Sequence, residues 1–248
     1  MRADAVSFRY GNRSTLQQVS VELGAGELLG IVGPNGAGKT TLLNVLSGYL
    51  HAQSGSVELG GRPLHGYSRR QIARQIAVVP QRAEVAFSYS VREVVLMGRH
   101  PYAGFAALDT SDDLHVAADS MLQVGLGGFE ERGYDQLSGG EQRLVLVARA
   151  LAQQTPILML DEPLAELDLR HQFQMLTLLK TLAADGKAIL ATFHDLNAAA
   201  RWCDRVILLA DGTIRASGIP GEVLRPELLH EVYGVALHQS TTTHLDFV

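Results

Sequence analysis

The chain has 248 residues, 46% of them hydrophobic and 19% charged, which is enough to bury one substantial core divided into at most two lobes. A net charge of −5 argues against a basic face that binds nucleic acid, and the single cysteine, Cys203, excludes an internal disulfide. No run approaches the ~18 apolar residues of a membrane span. The first residues lack the apolar stretch of a secretory signal, so we expect a protein of the cytosol.

The N-terminal sixty residues predict a small antiparallel β region beside one strand of a different kind. Runs at residues 5–10, 16–23 and 56–59 read as strands, and turn signals such as Tyr10-Gly11-Asn12 and Gly60-Gly61 follow two of them. The continuous apolar run Leu28–Val32 instead predicts a buried strand, and residues 41–46 have a helical pattern.

Residues 33–40, GPNGAGKT, lie between that strand and that helix and fit the phosphate-loop pattern G-x-x-x-x-G-K-[ST]. The glycines allow backbone N–H groups to converge on phosphate oxygens, and the helix N-terminus adds its dipole. Lys39 would reach the β- and γ-phosphates and Thr40 would ligate Mg²⁺; the alternative is a glycine-rich turn without a ligand. The predicted nucleotide-binding residues here are Gly33, Pro34, Asn35, Gly36, Ala37, Gly38, Lys39, Thr40 and Thr41.

The remaining pattern predicts an α/β core with an inserted helical lobe. Short apolar runs at residues 76–79, 157–160, 188–192 and 206–209 alternate with helical segments, which favours a mainly parallel sheet. Residues 91–97, 114–124 and 141–152 are helical. We therefore assign residues 1–83 and 155–236 to the core with its antiparallel β region, 84–154 to the helical lobe and 237–248 to a loosely held, Thr-rich tail.

Two adjacent carboxylates, Asp161 and Glu162, follow the strand at residues 157–160. They would emerge at the carboxyl edge of the sheet, where ligands of open α/β sheets bind. Asp161 would hold Mg²⁺ and Glu162 would activate the attacking water as general base. The alternative is a strand that ends in an acidic turn. The histidines are scattered without metal-ligand spacing, so Mg²⁺ brought by ATP is the only metal implied.

Residues 137–143, LSGGEQR, precede an apolar-faced helix, and we expect its N-terminus to be left open for an anion. Alone, Ser-Gly-Gly is an ordinary helix-capping turn. Together with the phosphate loop it resembles the signature of the ATP-binding cassette (ABC) superfamily, over nearly the whole chain. This resemblance implies an ATPase with the ABC fold, a P-loop core plus antiparallel β and helical subdomains. The signature residues are Leu137, Ser138, Gly139, Gly140 and Glu141.

The resemblance also implies roles for three further side chains. His194, after the strand at residues 188–192, is similar to the switch histidine that contacts the γ-phosphate and steadies the catalytic carboxylate. Gln81 is similar to the glutamine whose amide reaches Mg²⁺ and the lytic water. Tyr10 occupies the place of the aromatic that stacks on adenine. Without the resemblance, His194 could cap a helix, Gln81 could be a polar loop residue, and Tyr10 could be a core or turn tyrosine.

In this family two chains form a head-to-tail dimer, and each ATP is enclosed by the phosphate loop of one and the signature of the other. The resemblance therefore implies a homodimer with Ser138, Gly139 and Gly140 acting in trans. Asp168 is similar to the aspartate that crosses the dimer seam. Leu164 and Ala165 stand where Thr and Ser are frequent, which puts in doubt how tightly the two sites are coupled.

An ATPase of this type passes its closing motion to a partner. Residues 87–97 carry apolar and aromatic side chains that suit a groove for a short partner helix, or that close the core of the helical lobe itself. In transporters of this family the groove receives a helix of the membrane subunit.

Residues 98–102, GRHPY, are similar to a segment of the ATPases that serve importers of iron-siderophores, haem, vitamin B12 and other metal chelates, and residues 224–234 fit their ending. This implies two copies of the chain beneath two integral membrane permease subunits, at the cytoplasmic face of the inner membrane, with an extracytoplasmic substrate-binding protein outside. The alternative is a soluble ABC ATPase such as the scaffold ATPase of iron–sulfur cluster assembly. A DNA-repair ABC protein is disfavoured because the stretch between Lys39 and Ser138 has no room for a coiled-coil arm.

Overall fold

The structure is a computed structural model that describes residues 1–81, 88–103 and 109–234. The predicted tail at residues 237–248 lies outside the described residues. So do the predicted start of the helical lobe at residue 84 and the first residue of the predicted partner groove, Phe87.

Ten strands are present among the described residues and form two sheets. Their bounds are β1 (Arg2–Tyr10), β2 (Arg13–Glu22), β3 (Leu28–Val32), β4 (Ser54–Leu59), β5 (Arg62–Pro63), β6 (Ile76–Val79), β7 (Ile157–Leu160), β8 (Ala188–Thr192), β9 (Arg205–Ala210) and β10 (Thr213–Gly218). The smaller sheet is antiparallel in the order β2-β1-β4-β5. The larger sheet has the order β10-β9-β3-β8-β7-β6, with only β10 antiparallel to its neighbour.

The helices of the described residues pack on both faces of the larger sheet. Their bounds are α1 (Lys39–Leu46), α2 (Arg69–Ala73), α3 (Val91–Leu96), α4 (Ser111–Gln123), α5 (Gly139–Ala152), α6 (Leu169–Ala184), α7 (Leu196–Trp202), α8 (Pro220–Val223) and α9 (Pro226–Tyr233). We call α3, α4 and α5, which pack on one another, the helical lobe. None of the helices in the described ranges is long and apolar enough to cross a membrane.

The central strands are buried on both faces, because each face of the larger sheet has its own core. In β7, Leu158 and Leu160 belong to the core formed with α3 to α9, whereas Ile157 and Met159 belong to the core formed with α1 and the antiparallel sheet. Continuous apolar runs are typical of such parallel strands. The parallel pairing of β3, β8, β7 and β6 brings their carboxyl ends to one edge of the sheet.

The predicted fold class is confirmed, and the predicted bounds of β3, β6, β7 and β8 agree with the structure. Strand β10 was not predicted. Its residues are half-buried or exposed, as expected for an edge strand, so its hydrophobic pattern is weak. The turn before it carried the usable signal: Asp211 and Gly212 have φ values of 49° and 73°, and Asp-Gly favours two-residue hairpins of this kind.

Candidate functional site

The phosphate loop is shaped by glycines at two positions of close backbone approach. Gly33 has φ +152°, and a Cβ there would collide with the carbonyl oxygen of Leu209. Gly38 has φ +106°, and a Cβ there would lie 2.8 Å from the carbonyl oxygen of Thr15. Gly38 also caps α1 without a side chain, and the first turn of α1 has no acidic residue, which keeps its N-terminus favourable for an anion. In the rest of the predicted loop, Asn35, Gly36 and Thr40 are exposed, Pro34 is half-buried, and Ala37 and Thr41 are buried.

The Lys39 side chain is almost fully buried and points back across the loop. Its Nζ donates to the carbonyl oxygens of Gly33 at 2.7 Å and Pro34 at 3.1 Å. Burial lowers the pKa of Lys39, while the nearby carboxylates of Glu162 and Asp161 act in the opposite direction. A phosphate bound to the loop would supply the compensating negative charge that these two carboxylates supply only in part.

Asp161 and Glu162 lie at the carboxyl end of β7 and share a partner that sequence reasoning missed. The hydroxyl of Thr192, at the end of β8, donates to Asp161 Oδ1 at 2.7 Å and accepts the Glu162 backbone N–H at 2.8 Å. Thr192 is fully buried and Asp161 is 2% exposed. The available signal was a hydroxyl residue ending an otherwise apolar buried strand, next to the predicted switch histidine.

The three predicted catalytic side chains meet at one carboxylate. Gln81 Nε2 donates to Glu162 Oε2 at 2.7 Å, and His194 Nε2 pairs with Glu162 Oε1. Glu162 itself has φ +52°, a left-handed conformation that non-glycine residues seldom adopt. His194 is half-exposed, whereas the Glu162 side chain is 13% exposed. The carboxylate is therefore oriented by two neighbours at the edge of the sheet.

A cavity of about 620 Å³, which we call the α1 cavity, runs from this edge along α1 and α2. Thr40 and Gln81, both predicted to contact Mg²⁺, line it together with Asp161. Their hydroxyl, amide and carboxylate oxygens are the ligand types that Mg²⁺ prefers, so the residues present fit this ion. In the described ranges no group of three or more His, Cys, Asp or Glu side chains forms a metal site, so Mg²⁺ would need ligands from the nucleotide.

The N-terminus of α5, which we expected to be open for an anion, is formed by a capping box of Ser138 and Glu141. Ser138 is the N-cap: its hydroxyl accepts from the Glu141 N–H at 3.3 Å and donates to the Glu141 carboxylate at 2.7 Å. That carboxylate also accepts the Ser138 N–H at 2.8 Å, and these bonds lower the pKa of Glu141. Glu166 is close as well, since a Cβ on Gly139 would lie 2.6 Å from Glu166 Oε2. Two carboxylates of the same chain therefore lie beside this terminus, and its opening to an anion stays a prediction. Leu137 packs into the core.

Asp168 and Tyr10 lie where solvent or a partner can reach them. Asp168 is the N-cap of α6: its Oδ1 accepts from the His171 N–H at 2.8 Å and pairs with His171 Nδ1 at 2.8 Å. Tyr10 ends β1, is 52% exposed and packs edge-on against Phe8. Arg13 pairs with it across the hairpin and reaches Gly36 of the phosphate loop.

In the described part of the predicted partner groove, residues 88–97, the apolar side chains close the core of the helical lobe instead. Val91, Val94, Val95 and Leu96 are all buried, with at most 6% exposure. Tyr89 is partly buried and packs against the same core. Of the two readings left open by the sequence, the structure therefore favours a core role for the described part of this segment.

The GRHPY segment at residues 98–102 is likewise occupied with contacts inside the chain. Arg99 binds Asp113 at 2.7 Å and the carbonyl oxygen of Ala152 at 2.8 Å, and its guanidinium lies 4.3 Å from the ring centre of Tyr102. The Tyr102 hydroxyl donates to the carbonyl oxygen of Gln153 at 2.9 Å. These contacts connect α4 to the end of α5, so the segment stabilises the packing of the helical lobe.

Comparison with known families and curated proteins agrees with this site. The family described as ABC transporter matches residues 16–165, more than half of the chain. A hemin import ATP-binding protein of Streptomyces coelicolor is 46% identical over 93% of this chain and 82% of its own length. A cobalamin import ATP-binding protein of Halobacterium salinarum is 42% identical over 88% of this chain, which spans only 54% of that protein.

Two solved structures are similar in fold and sequence. A putative metal-chelate type ABC transporter in an inward-facing conformation matches with a TM-score of 0.83 and 30% identity, covering 95% of this chain and 89% of that chain. A dimeric bacterial ABC transporter cassette matches with a TM-score of 0.79 and 28% identity, covering 88% of this chain and 98% of that one. The protein described here therefore belongs to the ABC transporter family and is one of its ATP-hydrolysing subunits.

Proposed function

We propose that this chain is the ATPase of an importer for a metal chelate, a ferric siderophore, haem or vitamin B12. The printed functions of the hemin and cobalamin relatives support the cargo class. The observation that carries the chemistry is the Glu162 carboxylate held between Gln81 and His194 beside the phosphate loop. The runner-up is a soluble, non-transport ABC ATPase.

In this proposal the loop N–H groups and Lys39 bind the β- and γ-phosphates, so Lys39 exchanges its two carbonyl partners for phosphate oxygens. Glu162 accepts a proton from the attacking water as general base. Gln81 and His194 orient that carboxylate, and in this proposal both also contact the water or the γ-phosphate.

We infer that Thr40, Gln81 and Asp161 hold Mg²⁺ together with the nucleotide. When bound, Mg²⁺ neutralises charge that develops on the phosphate oxygens. The buried hydroxyl of Thr192 keeps the Asp161 carboxylate at the cavity wall.

We also infer a head-to-tail homodimer, consistent with the dimeric cassette among the similar structures. Each protomer would lend residues to the ATP bound by its partner, while Tyr10 stacks on the adenine of its own ATP. The residues lent in trans would be Leu137, Ser138, Gly139, Gly140, Glu141 and Asp168. To reach phosphate, the first turn of α5 must displace the Glu166 carboxylate that lies against Gly139.

The permease contact is assigned to the α1 cavity in place of the buried segment at residues 91–96. Tyr49 at its mouth is 71% exposed, and Arg69 and Ile72 form its outer wall. Each of two integral membrane permease subunits would insert one short helix into the α1 cavity of one protomer. That helix would fit such a groove and lie close to Gln81. The chain would then lie peripherally at the cytoplasmic face of the membrane and receive cargo indirectly from an extracytoplasmic binding protein.

The first test is Glu162→Gln. This variant should bind ATP, hydrolyse it at least 100-fold more slowly, and form a dimer on a sizing column with ATP and Mg²⁺, because the base is lost while the phosphate contacts remain. Glu131→Gln, at an exposed carboxylate paired with Arg92, is the matched control and should hydrolyse ATP normally. A Glu162→Gln variant that stays monomeric would refute the composite site.

The second test distinguishes an importer ATPase from a soluble, non-transport ABC ATPase. Co-expressed with the permease subunits of neighbouring genes, the chain should be retained in washed membranes, and Tyr49→Glu should release it without loss of ATPase activity. Leu122→Glu, at a 63% exposed residue outside the cavity, should leave retention unchanged. Purely soluble behaviour of the wild-type chain would favour the non-transport ATPase. Uptake of haem, cobalamin or a ferric siderophore by the retained complex then identifies the cargo.

A further inference from the structure

Arg143 is a buried arginine on α5 for which the proposed catalytic site leaves no role. It is 4% exposed, and its guanidinium points at the sheet edge where β6 and β7 end. Nη1 donates to the carbonyl oxygens of Pro80 and, at 3.1 Å, Gln81. Nη2 donates to the carbonyl oxygens of Asp161 and, at 2.7 Å, Glu162. One side chain thus binds two consecutive carbonyls on each of two neighbouring strand ends.

The pairing of these strands explains why hydrogen-bond donors are needed at this point. Val79 is the partner of Leu160 in the last register position of β6 and β7, so the four carbonyls beyond it have left the ladder. The carbonyl oxygen of Glu162 also accepts from the Ala165 N–H at 3.1 Å, so the carbonyls of Pro80, Gln81 and Asp161 depend most on Arg143. Carbonyl oxygens without partners are costly when buried. A planar guanidinium presents its donors as a fixed fork and can serve both pairs at once, which an ammonium cannot do. Burial lowers the pKa of Arg143, and Asp161 and Glu162 oppose that effect.

The four carbonyls belong to the segments that carry the reacting side chains. Fixing the backbones of Gln81 and Glu162 fixes the separation at which Gln81 Nε2 meets Glu162 Oε2, 2.7 Å apart. It also holds Glu162 in its left-handed conformation, φ +52°, which persists only where the surroundings constrain it. The contact therefore bears on the geometry of the carboxylate and leaves the phosphate loop untouched.

Arg143 lies on the same helix as Ser138, little more than one turn further along. The N-terminus of α5 is the part of this chain that faces the partner's ATP in the proposed dimer. A shift of that turn would be passed along the rigid helix to the guanidinium, and from there to Gln81 and Glu162. The helix thus links the partner's nucleotide to the hydrolytic group of its own protomer.

We propose that Arg143 is a positioning residue that couples the signature helix to the Gln81–Glu162 pair. The inference rests on the proposed roles of those two residues. Substitution of Arg143 should therefore lower the rate of ATP hydrolysis and leave the affinity for ATP unchanged.

The test compares Arg143→Lys and Arg143→Gln with wild type in ATP turnover and in titration with a fluorescent ATP analogue. Arg143→Gln should lower kcat about 10- to 100-fold, the scale expected when a catalytic group is misplaced by about an ångström, with Kd within twofold. Arg143→Lys keeps the charge and part of the carbonyl contact, so its kcat should fall between those of Arg143→Gln and wild type. Arg92→Lys, at an exposed arginine of the same lobe, is the control and should match wild type in both measurements.

The Tm of each variant is measured first, and ATP turnover is then compared at a temperature below the lowest Tm. A folded Arg143→Lys with wild-type kcat would overturn the proposal, and so would a loss of kcat matched by an equal loss of affinity for the ATP analogue. If Arg143→Gln fails to fold, the kcat and Kd of Arg143→Lys decide. Normal hydrolysis by Glu162→Gln would instead refute the proposed base, which keeps the two failures distinct.

Discussion

Replacing Thr192 by Val should damage both stability and hydrolysis, because its hydroxyl holds two groups of the site in a fully buried position. The change leaves the Glu162 backbone N–H without its acceptor and removes a donor from the Asp161 carboxylate. An unsatisfied buried backbone group costs about 1–3 kcal/mol, and a hydrogen bond to a charged group contributes about 1.5–3 kcal/mol. The added methyl recovers about 1 kcal/mol, so the net loss should be about 1.5–5 kcal/mol.

The assay is thermal unfolding together with steady-state ATP turnover. A loss of about 1.5–5 kcal/mol corresponds to a fall in Tm of roughly 3–20 °C for a chain of this size. We expect kcat to fall at least tenfold, because the backbone of Glu162 and the side chain of Asp161 both lose their common support. Thr192→Ser keeps the hydroxyl and should cost only about 1 kcal/mol, with kcat close to wild type.

Thr155→Val is the matched control. Thr155 is also buried, at 2% exposure, but its hydroxyl makes a single bond, to the carbonyl oxygen of Ile157 at the other end of β7. It should lose about 1 kcal/mol and hydrolyse ATP normally. If Thr192→Val proves no less stable than Thr155→Val and keeps wild-type kcat, the bridging role of the Thr192 hydroxyl is refuted.

Three further outcomes are expected. Hydrogen bonds from Arg99, the larger effect, and from Thr110 lower the pKa of Asp113 from 3.8 to about 2. The ionised carboxylate therefore stabilises the fold above pH 4, and this stabilisation is lost as the pH falls to 2. Urea unfolding at pH 5, 4 and 3 should show a loss of about 1 kcal/mol between pH 5 and pH 3 that Asp113→Asn lacks. Burial raises the pKa of the Cys203 thiol to about 12, so a disulfide reagent at pH 8 should label it at least 100-fold more slowly in native than in unfolded protein. Ser138→Ala should keep the affinity for ATP and lower kcat. Because α5 loses its N-cap, the free energy of unfolding, followed by thermal unfolding, should fall by about 1 kcal/mol.

The parts predicted best from sequence are those fixed by local rules. Strands β3, β7 and β8 were predicted because continuous apolar runs of this length are buried on both faces of a parallel sheet. The carboxyl ends of such strands share one edge, which places Glu162 and His194 there, whereas the roles of Gln81 and His194 were implied by the family resemblance.

The parts that were missed depend on contacts between distant segments. Arg143 looks like an ordinary charged residue of a helix until β6 and β7 place four carbonyls beside it. The residues around Val94 have the apolar spacing of either a docking face or a core, and only the packing of α3 against α5 distinguishes them. The capping box of Ser138 and Glu141 was readable from sequence, because Ser followed three residues later by Glu is its signature.

The packing around residues 164–168 bears on the doubt raised by Leu164 and Ala165, which stand where hydroxyl residues are frequent. Leu164 is partly buried against the core, so its side chain contributes packing instead of a polar contact at the surface. The backbone of the loop is held independently of those two side chains, because Gln172 Nε2 donates to the carbonyl oxygens of Leu167 at 3.0 Å and of Leu164 at 3.4 Å. Asp168 is fixed in turn as the cap of α6. The position of Asp168 within this chain therefore does not depend on a hydroxyl at residue 164 or 165.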